Sequence, residues 1–338
     1  MAQLILLDQD ENSVFELMNE LSEAPAAVVS YVGDIRDTGL LKQIFACHRP
    51  EIVIHAAAYK HVGVMESNPC EAILNNVTGT RQLVEAAEDF NCDRFVMIST
   101  DKAVHPSSIM GATKRTAEVL VQHRAKHSAK KSCTQFACVR FGNVMGSRGS
   151  VAPIFLRQIA AGGPVTVTHE QMTRYFMSIP QAVQLVLQAA TLASDGDIYM
   201  LDMGDPVKII DFARRLIRMS GLTPDKDIAI EIVGARPGEK IHEQLWSEDA
   251  EVSRTDFPYV FRVKAMTPPT HVGDQIGRLE RAAVGRAELN ELQHILHSLP
   301  IDYSLDADVR FARNGAGHDG ASRNGGSRVE SSSLAGDD

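Results

Sequence analysis

The stretch that decides the fold is FVMISTDKAVHPSSIMGATKRTAEVL, residues 95–120. Residues 95–98 are branched and aromatic, and they predict a buried parallel strand that ends at Ser99. In an open α/β sheet, the carboxyl ends of the strands face the ligand crevice. A helical pattern resumes near Met110, and the spacing of Met110 and Lys114 places both side chains on one face of that helix. We therefore expect the strand end and the helix face to converge on one pocket.

This segment resembles the extended short-chain dehydrogenases/reductases, in which a Ser or Thr follows the strand and Tyr-x-x-x-Lys lies on the next helix. Met110 stands at the Tyr position. The string STDKAVHPSSIMGATK, residues 99–114, is similar to the CapD-type nucleotide-sugar 4,6-dehydratases of bacterial polysaccharide and glycan synthesis, especially their membrane-anchored branch with Met in place of Tyr. The resemblance implies an α/β fold, with a Rossmann-like parallel sheet and a smaller C-terminal substrate-binding domain.

The bulk composition narrows the class of protein. The 338 residues are 44% hydrophobic and 23% charged, which suits one large or two small globular domains. The net charge of −9 argues against a nucleic-acid-binding surface. The cysteines form no CxxC pair and no Cys/His cluster, so no metal site is expected. No window reaches the ~18 apolar residues of a membrane helix, and no secretory signal opens the chain. We expect a cytoplasmic protein with no membrane segment in this chain.

The first 80 residues predict the adenosine side of a dinucleotide site. Residues 4–7 and 28–32 predict strands, and residues 51–58 predict a buried strand that ends in small residues. Asp8 follows the first strand, where such folds hold the adenosine ribose, although a capping role is the more frequent one for an isolated Asp. The resemblance implies that NAD is the cofactor and that its contacts are Asp8, Asp34 and Ile35 at the adenosine, Ala56, Ala57 and Ala58 where the backbone approaches, and Asn76 and Lys114.

The glycine-rich turn that normally holds the pyrophosphate does not follow residues 4–7. The sequence begins at what the resemblance makes the second strand, so the first strand, the glycine loop and the first helix are expected to be lacking. Their loss would separate the strands near Leu4 and Val28 from those near Ile52 and Phe95 and leave unpaired hydrophobic edges. Three explanations stay open: a truncated reading of a longer gene, which we favour, a protein completed by another chain, and a degenerate relative.

Most of the residues expected to bind the substrate lie in the later part of the chain. The resemblance implies that a UDP-N-acetylhexosamine contacts Lys60, His61, Asn143, Ser150, Val151, Thr166, Arg174, Arg236 and Glu239. The same resemblance divides the chain into an incomplete NAD-binding Rossmann domain that contains the active site (1–150) and a sugar-nucleotide-binding region (151–313). Residues 314–338 have too few apolar side chains to offset ordering entropy and predict a disordered tail.

The reaction implied by the resemblance is dehydration of the sugar to a 4-keto-6-deoxy product, with NAD regenerated in each turnover. The catalytic residues would be Thr100, Asp101, Lys102, Met110 and Lys114. Asp101 would act as the acid at C6 and Lys102 as the base at C5, with Thr100 bonded to the C4 oxygen. Met110 cannot take the C4 proton, so Asp101, Lys102 or a water must do so.

Two alternatives use the same residues differently. One is a nucleotide-sugar epimerase of the same fold, and the other is a non-catalytic UDP-sugar-binding remnant, which the missing glycine loop supports. The chain would act as a homo-oligomer or together with a complementing chain.

Overall fold

The computed structural model describes residues 3–127, 133–147, 149–264 and 266–304. The strands in these residues are β1 (Gln3–Asp8), β2 (Ala27–Val32), β3 (Ile52–His55), β4 (Arg94–Ile98), β5 (Gln135–Arg140), β6 (Asn143–Val144), β7 (Val165–Val167), β8 (Thr173–Arg174), β9 (Phe176–Met177), β10 (Asp197–Leu201), β11 (Val207–Lys208), β12 (Ile230–Ile232), β13 (Val252–Arg254) and β14 (Val260–Val263). The α-helices are α1 (Glu11–Glu20), α2 (Thr38–His48), α3 (Val62–Glu66), α4 (Pro69–Ile73), α5 (Thr80–Asp89), α6 (Ile109–His127), α7 (Val151–Ala160), α8 (Ile179–Leu192), α9 (Ile209–Met219), α10 (Val272–Val284) and α11 (Leu289–Ser298).

A six-stranded sheet in the order β13-β14-β10-β5-β4-β3 forms the centre of the fold. Strands β3, β4, β5 and β10 run parallel, and β14 and then β13 continue the sheet in antiparallel pairing, with β13 at the edge. Phe95 and Met97 of β4 are fully buried on one face, while Val96 is buried on the other, because successive side chains alternate across a sheet. Both faces are covered, which explains why this strand reads as a continuous apolar run. The predicted α/β fold with a parallel sheet is confirmed.

Strands β1 and β2 form a separate two-stranded parallel sheet. The predicted separation of these strands from the rest of the sheet is confirmed, because among the described residues β3 is an edge strand that pairs with β4 alone. Ile52 and Ile54 on β3 are 51% and 45% exposed, and Val32 at the end of β2 is 53% exposed. The hydrophobic edges expected from the sequence are therefore present on both sides of the division.

The predicted strand over residues 51–58 is shorter than expected. It ends at His55, and residues 56–61 leave the sheet as irregular backbone before α3 begins. Further along, α4 and α5 are joined by a π-helical segment, Leu74–Gly79, so residues 69–89 form one continuous helical run with a wide turn in its middle. Such wide turns frequently mark functional sites.

Residues beyond 150 complete the same core as those before it. Strands β10, β13 and β14 extend the central sheet, and Val272 and Leu279 of α10 lie in the apolar cluster that contains Phe95. All described residues fall within one compact unit. The division into regions 1–150 and 151–313 stays a prediction, and the disordered tail expected over residues 314–338 lies outside the described residues.

Candidate active site

A cavity of about 520 Å³ opens where the chain leaves β3, β4 and β5. It brings together most of the residues that the sequence singled out, although they lie far apart in the chain. The predicted site residues that line it are Ala56, Ala58, Lys60, His61, Thr100, Lys102, Met110, Lys114, Asn143, Ser150, Val151, Thr166, Arg174, Arg236 and Glu239. The convergence of strand end and helix face expected from the sequence is therefore present in the fold.

The turn after β4 is a single 3₁₀ turn, Asp101–Ala103, with Thr100 as its N-cap. The Thr100 hydroxyl accepts from the backbone N–H of Lys102 at 3.4 Å and donates to Oδ1 of Asp101 at 2.8 Å. Asp101 itself is fully buried and lies behind Thr100 and Lys102, so it does not line the cavity. Its carboxylate therefore reaches the cavity through its two neighbours.

Lys102 is held by two carboxylates. Its Nζ lies 3.0 Å from Oδ1 of Asp101 and 3.4 Å from Oε1 of Glu243, and its side chain is 21% exposed. Burial works to lower the pKa of Lys102, but the charges of Asp101 and Glu243 outweigh it, so the pKa is raised above its ordinary value. Lys102 is therefore an ammonium at neutral pH, with a proton to donate.

Glu243 is a charged residue of this site that the sequence did not single out. Its side chain is 2% exposed, and Oε1 lies 3.7 Å from Nε of Arg174. The available signal was its place in the string RPGEKIHEQL, residues 236–245, four positions after Glu239.

Helix α6 contributes Met110 and Lys114 to the lining of the cavity. The helix approaches the Lys102 turn so closely that a Cβ on Gly111 would lie 2.4 Å from the Lys102 carbonyl oxygen. Glycine at this position therefore permits the packing. Lys114 is buried, and its Nζ donates to the carbonyl oxygen of Ile98 at 2.7 Å.

A buried ion cluster under α6 fixes the helix against the strands. Glu118 accepts a hydrogen bond of 2.7 Å from the Ser99 hydroxyl and another of 2.7 Å from Nε of Arg140. Arg115 adds a contact of 3.0 Å to the same carboxylate. Because Ser99 follows β4 and Arg140 ends β5, this one carboxylate joins α6 to two strand ends beneath the cavity.

A second cavity of about 190 Å³ lies between β1 and the chain after β3. Asp8, Asp34, Ile35 and Ala57 line it, and Ala56, Ala58 and Tyr59 border both cavities. Arg36 holds the Asp34 carboxylate through a hydrogen bond of 2.8 Å from Nε and thereby lowers the pKa of Asp34.

The walls of this second cavity suit the adenosine half of NAD. The small side chains of residues 56–58 let a ligand approach the backbone, and Ile35 offers an apolar face. The turn after β1, Gln9-Asp10, contains no glycine to carry a pyrophosphate.

Asn76, for which the sequence predicts a cofactor contact, lines neither of the two cavities. It is buried on the wide turn of the π-helical segment, where its Oδ1 accepts from the Tyr59 N–H at 2.8 Å and its Nδ2 donates to the Tyr59 carbonyl and to Thr113, each at 3.0 Å. A buried amide with these bonds supports the loop wall from behind. The neighbouring Asn75 lines the second cavity instead.

Within the described ranges, no three His, Cys, Asp or Glu side chains lie together as metal ligands would. No helix in that part of the chain is both long and apolar enough to cross a bilayer.

Comparison with known proteins gives a family and several relatives. Residues 1–265 match the family described as polysaccharide biosynthesis protein. The capsular polysaccharide biosynthesis protein CapD of Staphylococcus aureus is 48% identical over 265 residues, which are 78% of this chain and 44% of CapD. This chain thus spans less than half the length of that relative.

Two further relatives are matched over a larger share of their own length than CapD is. The UDP-N-acetylglucosamine 4,6-dehydratase (inverting) of Campylobacter jejuni serotype O:2 is 34% identical over 248 residues, covering 73% of this chain and 70% of that protein. The crystal structure of Pen from Bacillus thuringiensis superposes with a TM-score of 0.71 at 33% identity, covering 78% of this chain and 81% of Pen. With its Rossmann-like sheet and the match over residues 1–265, the chain belongs to the polysaccharide biosynthesis protein family, as a CapD-type extended short-chain dehydrogenase/reductase.

Proposed function

We propose that this chain carries the catalytic site of a nucleotide-sugar 4,6-dehydratase that converts a UDP-N-acetylhexosamine to a 4-keto-6-deoxy sugar. The observation that carries the proposal is the buried Asp101 joined to Thr100 and Lys102, both of which line the cavity shared with Lys114. The Campylobacter relative, which bears the name of such a dehydratase, supports the same reaction class.

NAD, when bound, supplies the acceptor and donor of the hydride in this reaction. Asp8, Asp34 and the backbone of residues 56–58 would hold its adenosine half, and Lys114 would lie at the nicotinamide ribose. The residues of the second cavity fit that ligand by size and polarity.

The proton of the C4 hydroxyl leaves through Thr100. Met110 has no group that could accept it, whereas the Thr100 hydroxyl already donates to Asp101 over 2.8 Å. A C4 hydroxyl that donates to Thr100 would therefore pass its proton on to the Asp101 carboxylate. This route takes over the role that Tyr has in the other branch of the superfamily.

Lys102 carries the proton that the C6 hydroxyl needs in order to leave as water. In the same elimination the amine takes the proton from C5, which is acidic beside the C4 ketone, and the C5–H electrons form the C5=C6 double bond as the C6–O bond breaks. Lys102 then returns this proton to C5 after hydride has reached C6. The proton held by Asp101 passes back to Lys102 across their 3.0 Å contact, and both residues regain their starting charge. In this scheme Lys102 is the C6 acid as well as the expected C5 base, and Asp101 serves the C4 step.

Incubation of the protein with UDP-N-acetylglucosamine and NAD tests the proposal. We expect a product that has lost one water and shows a C4 ketone by NMR. Asp101→Asn should abolish its formation, while Asp93→Asn, at an exposed position, should not.

Other outcomes would identify the alternatives. Retained turnover in Asp101→Asn rejects the role given to Asp101. An epimerised sugar with no water lost favours the epimerase. Calorimetry that detects binding of the UDP-sugar but not of NAD favours a binding protein without catalysis.

A further inference from the structure

Four charged side chains form a cluster beside the main cavity, which only Lys102 and Arg174 of the four line, and they come from three parts of the chain. Asp101 and Lys102 follow β4, Arg174 ends β8, and Glu243 lies in the segment after Arg236. Lys102 Nζ contacts Oδ1 of Asp101 at 3.0 Å and Oε1 of Glu243 at 3.4 Å, and the same Oε1 is 3.7 Å from Arg174 Nε. The cluster contains two cations and two anions, so its formal charge is balanced.

Burial makes the charge of Glu243 depend on these cations. Its side chain is 2% exposed, and an isolated buried carboxylate is strongly disfavoured unless a cation compensates it. Lys102 and Arg174 are the cations that contact it within 4.0 Å among the described residues. Arg174 already donates from Nη1 to the carbonyl oxygens of Thr173 and Ile241, which fixes its position. Oε1 of Glu243 is therefore shared between an arginine that backbone carbonyls hold in place and the amine of Lys102.

Lys102 has space on both of its sides. It borders the main cavity and also a smaller chamber of about 110 Å³, whose lining includes Arg174, Glu239, Lys240 and Glu243. A flexible lysine between two spaces needs a fixed partner to keep its amine at one position. Asp101, the neighbour of Lys102 in sequence, contacts the amine from one direction. A second carboxylate is therefore needed to fix where the amine of Lys102 points.

We propose that Glu243 is a positioning residue of this site, which holds the amine of Lys102 charged and directed between Asp101 and the sugar. The raised pKa of Lys102 agrees with this assignment. The expected effect of Glu243 on turnover rests on the proposed dehydratase function. The contact itself requires only the folded chain.

The test measures the titration of Lys102 without any turnover. Each lysine is labelled with trace acetic anhydride over a range of pH, and peptide mass spectrometry gives the pH of half-maximal reactivity. In the unaltered protein, Lys102 should titrate above the exposed Lys42, which serves as the internal reference. In Glu243→Gln, the Lys102 midpoint should fall by about one pH unit or more, since an opposite charge at this range shifts a pKa by about 1–3 units.

Glu248→Gln is the matched control, because it removes an exposed carboxylate from the same segment and should leave the midpoint unchanged. Glu243→Asp keeps the charge and should restore most of the lost shift. In a turnover assay, the alkaline limb of the pH–rate profile should move to lower pH in Glu243→Gln and stay in place in Glu248→Gln.

An unchanged Lys102 midpoint in Glu243→Gln, or an equal fall in Glu248→Gln, would overturn the inference. If Glu243→Gln does not fold, the unaltered protein still decides, because a Lys102 that titrates below Lys42 contradicts the proposal. A protein that makes no keto sugar but shows the predicted midpoints would reject the dehydratase and leave the role of Glu243 intact.

Discussion

Lys114 Nζ, on α6, donates a hydrogen bond of 2.7 Å to the carbonyl oxygen of Ile98, the last residue of β4. Burial lowers the pKa of Lys114 from 10.5 to about 8, and Glu118 offsets only part of that effect. The helix is thus joined to the end of the strand by an amine that titrates close to physiological pH, where a small change in surroundings alters its charge.

The free energy of unfolding should depend on the titration of Lys114. The folded protein releases this proton near pH 8 and the unfolded chain near pH 10.5, so the unfolded chain binds more protons in between. The Lys114 contribution therefore destabilises the fold fully below pH 8 and is relieved as the pH rises to 10.5. Relative to Lys114→Met, the unaltered protein should gain up to about 3 kcal/mol over that window in urea titrations. Lys42→Met, at an exposed site, should show no such difference from the unaltered protein.

Replacement of Thr100 should distinguish a role of its hydroxyl in proton transfer from a role of its side chain in packing. Thr100→Val removes the hydroxyl that donates to Asp101, and kcat for keto-sugar formation should fall about a hundredfold or more. Thr100→Ser keeps the hydroxyl and should retain most of the rate. Met110→Leu should also stay within a few-fold, because the thioether takes no proton. Equal rates in the Val and Ser variants would contradict the route through Thr100.

Arg174 should contribute to UDP binding through the shape of its guanidinium. One nitrogen donates to two backbone carbonyls, which orients the group toward the cavity it lines. Arg174→Lys keeps the charge but loses the planar fork, so calorimetry should show UDP binding weakened about tenfold or more. Arg157→Lys, on the exposed side of α7, is the control and should bind as before. Unaltered affinity in Arg174→Lys would exclude a diphosphate contact there.

Glu118 should be a major determinant of stability. Glu118→Gln leaves Arg140 and Arg115 without their common carboxylate, and breaking a buried ion pair costs about 3–5 kcal/mol. Glu85→Gln removes a partly exposed helix pair with Arg81 and should cost under about 1 kcal/mol. Guanidinium denaturation of the two variants checks the contrast. A similar loss in both would mean that the buried cluster is not a special contributor.

The elements of this fold follow from local patterns, which is why the sequence predicts them well. The apolar run before Ser99, the helix that carries Met110 and Lys114, and the separation of residues 4–7 and 28–32 from the later strands are all present in the structure. The strings resembling those of known dehydratases also predict most of the cavity lining.

The contacts that could not be predicted from the sequence are those between distant parts of the chain. Glu243 meets Lys102 although 141 positions separate them, and Glu66 bonds the first N–H of α6, at Ile109, over 2.6 Å. Neither pairing has a local pattern. The position of Asp101 behind its neighbours also depends on the backbone turn, in which its N–H donates to the Phe141 carbonyl. Tertiary packing, and not residue type, decides these details.

The independence of the β1–β2 sheet has a consequence for hydrogen exchange. Within the part of the chain that the structure describes, neither strand pairs with the larger sheet, so the amide protons of β1 and β2 should exchange by a local opening that needs less free energy than global unfolding. A dinucleotide seated across the second cavity would touch both sheets at once and slow that exchange. Protection factors in β1 and β2 would then report nucleotide occupancy, residue by residue, while those in β4 stay constant.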